Sequence, residues 1–382
     1  MSERGPLKGE QVTVGPDARI DPDSFVCARH IVVGRGATIG RGVRISADRL
    51  EIGDHCHIGA DVSIVSPEVR IGARSTIGEG GRIELNEYLR IGLLCDVGRR
   101  LRIAGQGVEA GDHLWVTDDI TIGGGGARGP RAYLTIGHRS AMMDRCFVNI
   151  AERVEIGDET AFSNNVIVLT HSMWQPVLEG GTATFAPVRI GSHVILYVNA
   201  VIAPGVTVGD HVTVAAAALV LRDVPAGTIA VGNPARVMKM TPAVPSRLPD
   251  ARRDAIVRDL LREYAAALGV KGATVGAESA DTLAVSVNGS REVIQYVASS
   301  SSTNASEQPT ITLAYGPATA AARAAVHFDL AARTLAGEPT ALAEDLRDFL
   351  RRRSIRIFTG RPFQSFPLAN VARLKASLPA GS

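Results

Sequence analysis

Residues 52–83 read IGDHCHIGADVSIVSPEVRIGARSTIGEGGRI. Ile52, Ile58 and Ile64 stand six positions apart, and after a short spacer Ile71, Ile77 and Ile83 repeat the interval. A period of six is neither the 3.6 of a helix nor the alternation of an ordinary strand. Working outward, the same interval holds upstream at Val33, Ile39 and Ile45, and downstream at Ile91, Val97 and Ile103. It returns at Ile136, Met142 and Val148, then at Ile156, Phe162 and Val168. It ends with Ile190, Leu196, Ile202, Val208, Val214 and Val220.

Three such hexads make one triangular turn, each hexad giving a short strand and a corner. The aliphatic residue points inward and stacks on its equivalents in neighbouring turns. The glycine or short residue that follows is expected at the corner, where it accepts conformations that a Cβ resists. Parallel strands of successive turns satisfy the backbone donors and acceptors. A single coil cannot bury its apolar face alone, so many must stack.

The bulk numbers agree with such a chain. Among 382 residues, 45% are hydrophobic but only 4% aromatic, and 40 are glycine, which suits layers of small and β-branched side chains. A net charge of +2 gives no single-sign field, so a nucleic-acid partner is not expected. The basic run Arg351-Arg352-Arg353 reads as a helix C-terminus complementing the macrodipole. Cys27, Cys56, Cys95 and Cys146 are widely spaced, which suggests neither a disulfide framework nor a zinc knuckle. The N-terminus is polar and lacks a signal-peptide core. No run of about 18 apolar residues is present, so no membrane span is expected. The reading is a cytoplasmic protein.

Two stretches interrupt the period. Residues 104–135 read as an irregular coil with an inserted Gly-rich loop. GGGGARG there lacks the G-K-[ST] ending and the strand–loop–helix setting of a phosphate loop. Residues 171–187 form a second insertion. The expected layout is an N-terminal tail at 1–11, a β-helix at 12–240, a linker at 241–249 and an α+β domain at 250–382.

The hexad pattern resembles the left-handed parallel β-helix of hexapeptide-repeat proteins, and the left hand is taken from that resemblance. The fold class is therefore mainly β, a left-handed parallel β-helix followed by a small α+β domain. Residues 163–240 are similar to the galactoside, maltose and xenobiotic O-acetyltransferases of this family. The matching features are LTHS around His171, Pro187-Val188-Arg189-Ile190-Gly191, Ala203-Pro204-Gly205-Val206, Asp223-Val224-Pro225 and Gly232-Asn233-Pro234-Ala235-Arg236.

That family moves an acetyl group from acetyl-CoA to a hydroxyl. The resemblance makes His171 the general base, a task that imidazole suits because it titrates near neutrality. It makes the backbone amide of Val198 the oxyanion donor. On the loop, Trp174 reads either as a cover for an acceptor sugar or pantetheine arm or as a hydrophobic plug. Glu179 reads as an orienting group for His171, as a partner of an acceptor hydroxyl, or as a solvated carboxylate. Asn149 corresponds to an acceptor-contacting asparagine. The resemblance places acyl-CoA against Tyr197, Val198, Ala216, Ala217, Leu221 and Arg222, with Arg236 and Lys239 meeting its phosphates. It also implies a homotrimer with sites between prisms.

The chain departs from the pattern in two places. Val214-Ala215-Ala216-Ala217 stands where the family has I-G-A-G, and Ile195-Leu196-Tyr197 replaces W-I-G. The γ-class carbonic anhydrases share this fold and hold zinc with three histidines. Here no H-x-x-x-x-H pair occurs, and His55 with His57 supplies only two ligands, so no metal is expected. His193 and His211 occupy equivalent corners and read as exposed.

Beyond residue 240 the period is lost. Ile256, Leu260, Leu261, Tyr264 and Leu268 share one face of a helix at 250–268. Residues 282–297 alternate on both sides of Asn288-Gly289, which predicts a hairpin. The polar stretch 299–309 reads as a loop. Strands are expected at 310–315, 326–330 and 355–358, and a helix at 341–353 capped by Thr340. No catalytic constellation is legible there.

The function expected is acyl transfer from acyl-CoA to a hydroxyl of a sugar, a polysaccharide precursor or a small metabolite. The alternatives are N-acylation of an amino sugar, or a non-catalytic β-helix scaffold.

Overall fold

A computed structural model of the protein describes residues 6–173, 176–239, 248–287, 289–298, 310–317 and 325–375. The chain divides into two compact units, Met1–Pro245 and Ser246–Ser382. The division falls in the stretch read as a linker, most of which lies outside the described residues.

The first unit is a parallel β-helix in which successive coils pair in register. One inward column runs Val33↔Ile52↔Ile71↔Ile91↔Ala110↔Ile136↔Ile156↔Ile190. A second runs Ile39↔Ile58↔Ile77↔Val97↔Val116↔Met142↔Phe162↔Leu196↔Val214. A third runs Ile45↔Ile64↔Ile83↔Ile103↔Ile122↔Val148↔Val168↔Ile202↔Val220. These residues are buried and form one continuous core. Each fully buried aliphatic contributes roughly 1.5–3 kcal/mol of transfer free energy.

The glycines of the repeat have a different reason from the expected one. Gly53 and Gly72 lie in ordinary backbone regions, but an added Cβ would sit 2.5 Å from the Ala73 nitrogen and 2.4 Å from the Gly92 carbonyl carbon. They are required because the next coil passes too close for a side chain. The left-handed corner conformation falls two residues later, on His55 (φ 55°), Arg74 (59°), Leu94 (56°) and His113 (57°). Ladder bonds hold these strained residues in place, as in His55 N–H to Arg35 O at 2.7 Å and Arg74 N–H to Asp54 O at 2.7 Å.

The irregular stretch is narrower than 104–135. Arg102–Ala110, Trp115–Val116 and Thr121–Gly123 all pair within the ladder, and only the residues between Gly123 and Tyr133 stand out of it. The helix also begins earlier than residue 12, because Leu7 and Lys8 pair with Val26 and Cys27. Outward positions form charged ladders, including Arg49–Glu51, Arg70–Glu68 and Arg90–Glu68.

The second unit is a six-stranded mixed sheet with helices Asp250–Val270 and Ala341–Arg351. The hairpin Thr282–Val287/Ser290–Val297 is present, with Asn288 outside the described residues, as is the loop 299–309. Strands Ile311–Ala314 and Val326–Asp329 are in place, and Thr340 Oγ1 accepts from Ala343 N at 3.1 Å. Thr274–Ser279 and Thr334–Ala336 complete the sheet, and Ala369–Lys375 forms a further helix.

Residues 355–358 are not a strand. The buried Arg347 guanidinium donates to the carbonyls of Ile357, Arg361 and Pro362, so a side chain supplies partners that a neighbouring strand would otherwise provide. Arg351 and Arg352 pair with Asp348, and Arg353 pairs with Glu263. Among the described residues no helix is long and apolar enough to cross a membrane.

Candidate active site

His171 leaves the β-helix at the end of the coil that contains Ala161–Phe162 and Ile167–Val168. Its loop is a small hairpin, with His171–Met173 antiparallel to Ala183–Phe185 and His171 directly opposite Phe185. The Phe185 ring stacks on the imidazole with centroids 5.5 Å apart and planes inclined by 15°. The chain rejoins the ladder at Val188–Ile190, which pairs with Val154–Ile156.

Asn149 lies beneath His171, on the coil below, and is fully buried. Its Nδ2 lies 2.9 Å from the carbonyl oxygens of both Gly123 and Gly125. Carbonyls only accept, so the amide nitrogen must face them and Oδ1 must face the other way. There Oδ1 accepts from Thr170 Oγ1 at 2.6 Å, and from the amides of Ala151 (3.3 Å) and Thr170 (3.4 Å). It also lies 2.8 Å from Nδ1 of His171. An acceptor at that position places the proton of neutral His171 on Nδ1 and leaves the Nε2 lone pair free to take a proton.

Asn149 is thus enclosed and its polar atoms are all engaged by the protein. It positions His171 and cannot reach an acceptor, which corrects the role expected for it. The orienting group of His171 is Asn149 rather than Glu179, which sits exposed in the single turn Val177–Glu179 at the hairpin tip. Trp174 lies outside the described residues.

The Gly-rich loop, passed over in the sequence, closes on this site. A Cβ on Gly125 would stand 3.3 Å from His171 Nε2, so glycine keeps the approach to that nitrogen open. The carbonyls of Gly123 and Gly125 turn toward Asn149, the reverse of an amide cradle for phosphate. The Gly-rich loop was missed because only coil stacking brings it to His171, and Phe185 because only the pairing of the hairpin sets it opposite. The one local sign was Thr170 itself, a hydroxyl next to the histidine in the chain, which the structure buries.

Val198 occupies a different corner. In that column Arg99 N–H is capped by Asp118 Oδ1 at 2.8 Å, and Asp118 N–H by Asp144 Oδ1 at 3.1 Å. Ala217 N–H donates to Val198 O at 2.9 Å, which puts Ala216 directly one coil on from Val198. Alanine has no side-chain acceptor to serve as such a cap, and among the described residues the Val198 N–H has no partner. Asn199 N–H to Asn164 O places Val198 over Asn164, a full face before His171 along the coil. A single chain therefore does not unite His171 and Val198.

Tyr197, Val198, Ala216 and Ala217 are exposed together along that corner. Leu219 N–H bonds Gly232 O and Ala235 N–H bonds Leu219 O, so exposed Arg236 lies at the upper end of the same stripe. Leu221 and Arg222 are also exposed, but they follow Val220 on the corner of His171. Lys239 ends the last strand, paired with Thr228. His193 and His211 stack on their corner at 4.6 Å. No cluster of three or more metal-ligating side chains occurs among the described residues.

Stacked hexads with a histidine hairpin define the class: this chain is a hexapeptide-repeat β-helix protein. Residues 49–81 and 187–221 match the hexapeptide repeat of succinyl-transferase. The chain is 34% identical over 88 residues to galactoside O-acetyltransferase of Escherichia coli (strain K12), covering 22% of this chain and 43% of that protein. It is 41% identical over 106 residues to nodulation protein L of Rhizobium meliloti (strain 1021), covering 27% and 58%. It is 39% identical over 92 residues to 2,3,4,5-tetrahydropyridine-2,6-dicarboxylate N-acetyltransferase of Staphylococcus aureus (strain bovine RF122 / ET3-1), covering 24% and 36%. Among solved structures, a galactoside acetyltransferase in complex with coenzyme A aligns with 26% identity and a TM-score of 0.30, covering 34% of this chain and 63% of that one. The chain spans about half the length of the curated relatives it matches. Its repeats are thus hexapeptide repeats, and over these stretches the chain is similar to hexapeptide-repeat acetyltransferases.

Proposed function

We propose that the protein is an acyl-CoA-dependent acyltransferase that acts on a hydroxyl of a sugar or small metabolite, with His171 as general base. The observation that carries this reading is the 2.8 Å contact between Asn149 Oδ1 and His171 Nδ1, which fixes the tautomer with a free Nε2. An acyl-CoA supplies a thioester carbonyl that is already activated, so no acyl-enzyme is needed. His171 Nε2 takes the proton of the acceptor hydroxyl as its oxygen bonds to the carbonyl carbon. The Val198 N–H donates to the oxyanion of the tetrahedral adduct. As the C–S bond breaks, the imidazolium returns the proton to the departing sulfur. A base of this kind contributes roughly 10²–10⁴ in rate.

The donor fits the exposed stripe of Tyr197, Val198, Ala216 and Ala217, with Arg236 at its end for phosphate. Because His171 and Val198 stand on different corners, the complete site is formed between two copies of the chain, as in a homotrimer. The match to an N-acetyltransferase keeps an amine acceptor as the second reading.

Calorimetry with acetyl-CoA tests the proposal on the wild type and on Arg236→Ala. Micromolar binding that weakens in the variant supports it, and an acceptor screen with paired sugars and amino sugars then separates O- from N-transfer. Absence of binding to acetyl-CoA and to longer acyl-CoAs sinks the enzyme reading and leaves a scaffold.

A further inference from the structure

Phe185 also lines a cleft of about 570 Å³, together with Arg131, Tyr133, Glu152, Arg153, Glu155 and Arg189. Its charges are unevenly matched. Arg131 binds Glu152 through two bonds of 2.5 Å, and this pairing holds the Glu152 carboxyl below the usual carboxylate range. Arg189 Nε lies 2.8 Å from Glu155 Oε2. Each of these pairs cancels itself. Arg153 is left over: its guanidinium lies 4.9 Å from the Tyr133 ring centroid, and among the described residues it has no carboxylate partner. A guanidinium lying over a ring keeps its N–H groups for another ligand.

The cleft is coupled to the histidine in two ways. Phe185 forms its wall and stacks on His171. The Glu152 amide donates to Thr170 Oγ1 at 3.2 Å, and the same hydroxyl binds Asn149 Oδ1. The volume lies within the range of small-molecule sites, about 300–1,000 Å³.

We infer that this cleft is an anion subsite for the acceptor, in which Arg153 binds a carboxylate or phosphate of a hydroxylated, carbohydrate-like substrate. Phe185, which lines the cleft and stacks on His171, links the anionic group at Arg153 to a hydroxyl of the same molecule presented to Nε2. The inference rests on the acyltransfer reading for the word acceptor, but the anion preference is measured without it.

Ligand-observed saturation-transfer NMR on the full chain, without CoA, compares glucuronate, glucose 6-phosphate and methyl glucoside. The acidic probes are expected to bind roughly tenfold more tightly than the neutral one, by about 1.4 kcal/mol. Arg153→Gln is expected to abolish that preference and Arg153→Lys to retain part of it. Whichever acid binds better separates the carboxylate source from the phosphate source. Equal binding of all three probes, or a preference untouched by Arg153→Gln, overturns the subsite. Anion preference without acyl-CoA binding keeps the subsite and removes the transferase. Acyl transfer to neutral and acidic acceptors alike does the reverse.

Discussion

Asn149 Oδ1 and His171 Nδ1 stand 2.8 Å apart, although 22 residues separate them in the chain. The amide is held by two glycine carbonyls on its nitrogen side, so it cannot rotate to present Nδ2 to the imidazole. Nitrogen NMR of the His171 ring is therefore expected to report the Nδ1–H tautomer in the neutral protein. Asn149→Ala is expected to lose that signature and to cost about 2 kcal/mol for the stranded buried groups. Asn149→Asp is expected to be less stable still, because a carboxylate oxygen would face the Gly123 and Gly125 carbonyls. A melting temperature for Asn149→Asp equal to that of the wild type would contradict the assignment.

Phe185 is 44% exposed, so its removal costs little core burial. It is nevertheless the face against which His171 rests. Phe185→Ala is expected to leave acetyl-CoA affinity and the thermal midpoint nearly unchanged while lowering kcat. The stack is worth about 0.5–1.5 kcal/mol, which corresponds to a fall of roughly twofold to tenfold. A changed affinity with an intact kcat would assign Phe185 to donor binding instead.

The steric account of the glycines separates two kinds of position. Gly72→Ala is expected to destabilise the β-helix by about 1–3 kcal/mol, because its Cβ would collide with the backbone of the next coil. Leu94→Gly, at a left-handed corner, is expected to stay within about 1 kcal/mol of the wild type, since relief of strain offsets the freedom gained by the unfolded chain. Denaturant midpoints of the two variants decide the matter, and the reverse order would restore the conformational explanation.

The buried thiols give the β-helix an alkaline limit. Burial raises Cys95 and Cys146 from 9.0 to about 11, and it also raises Cys56. The folded state then keeps protons that the unfolded state releases. This contribution is complete below about pH 9 and is lost as the pH rises toward about 11. Cys95 and Cys146 are each expected to withdraw roughly 2–3 kcal/mol over that window. At about pH 8, native labelling with a thiol reagent is expected to spare Cys56, Cys95 and Cys146 and to reach Cys27, the least buried of the four. Labelling of Cys146 at the rate of a free thiol would refute the burial argument.

The hexad spacing alone carried the solenoid, its inward columns and the position of His171 at a break in the repeat. It could do so because the facing of each residue in a short strand is a local property, repeated down the chain without reference to distant contacts. Tertiary structure decided what surrounds the histidine. Stacking one coil on the next brings Asn149 beneath His171, folds the Gly-rich loop over both, and leaves Val198 uncapped because Ala216 happens to lie one coil on. It also turned the glycines from corner residues into spacers, since the distance to the next coil is fixed by the ladder and not by any residue's own preference. The sequence by itself thus determined the helix and the place where His171 leaves it. The partner that sets the tautomer of His171, and the Arg153 left without a carboxylate partner among the described residues, follow only from which side chains the stacked coils bring together.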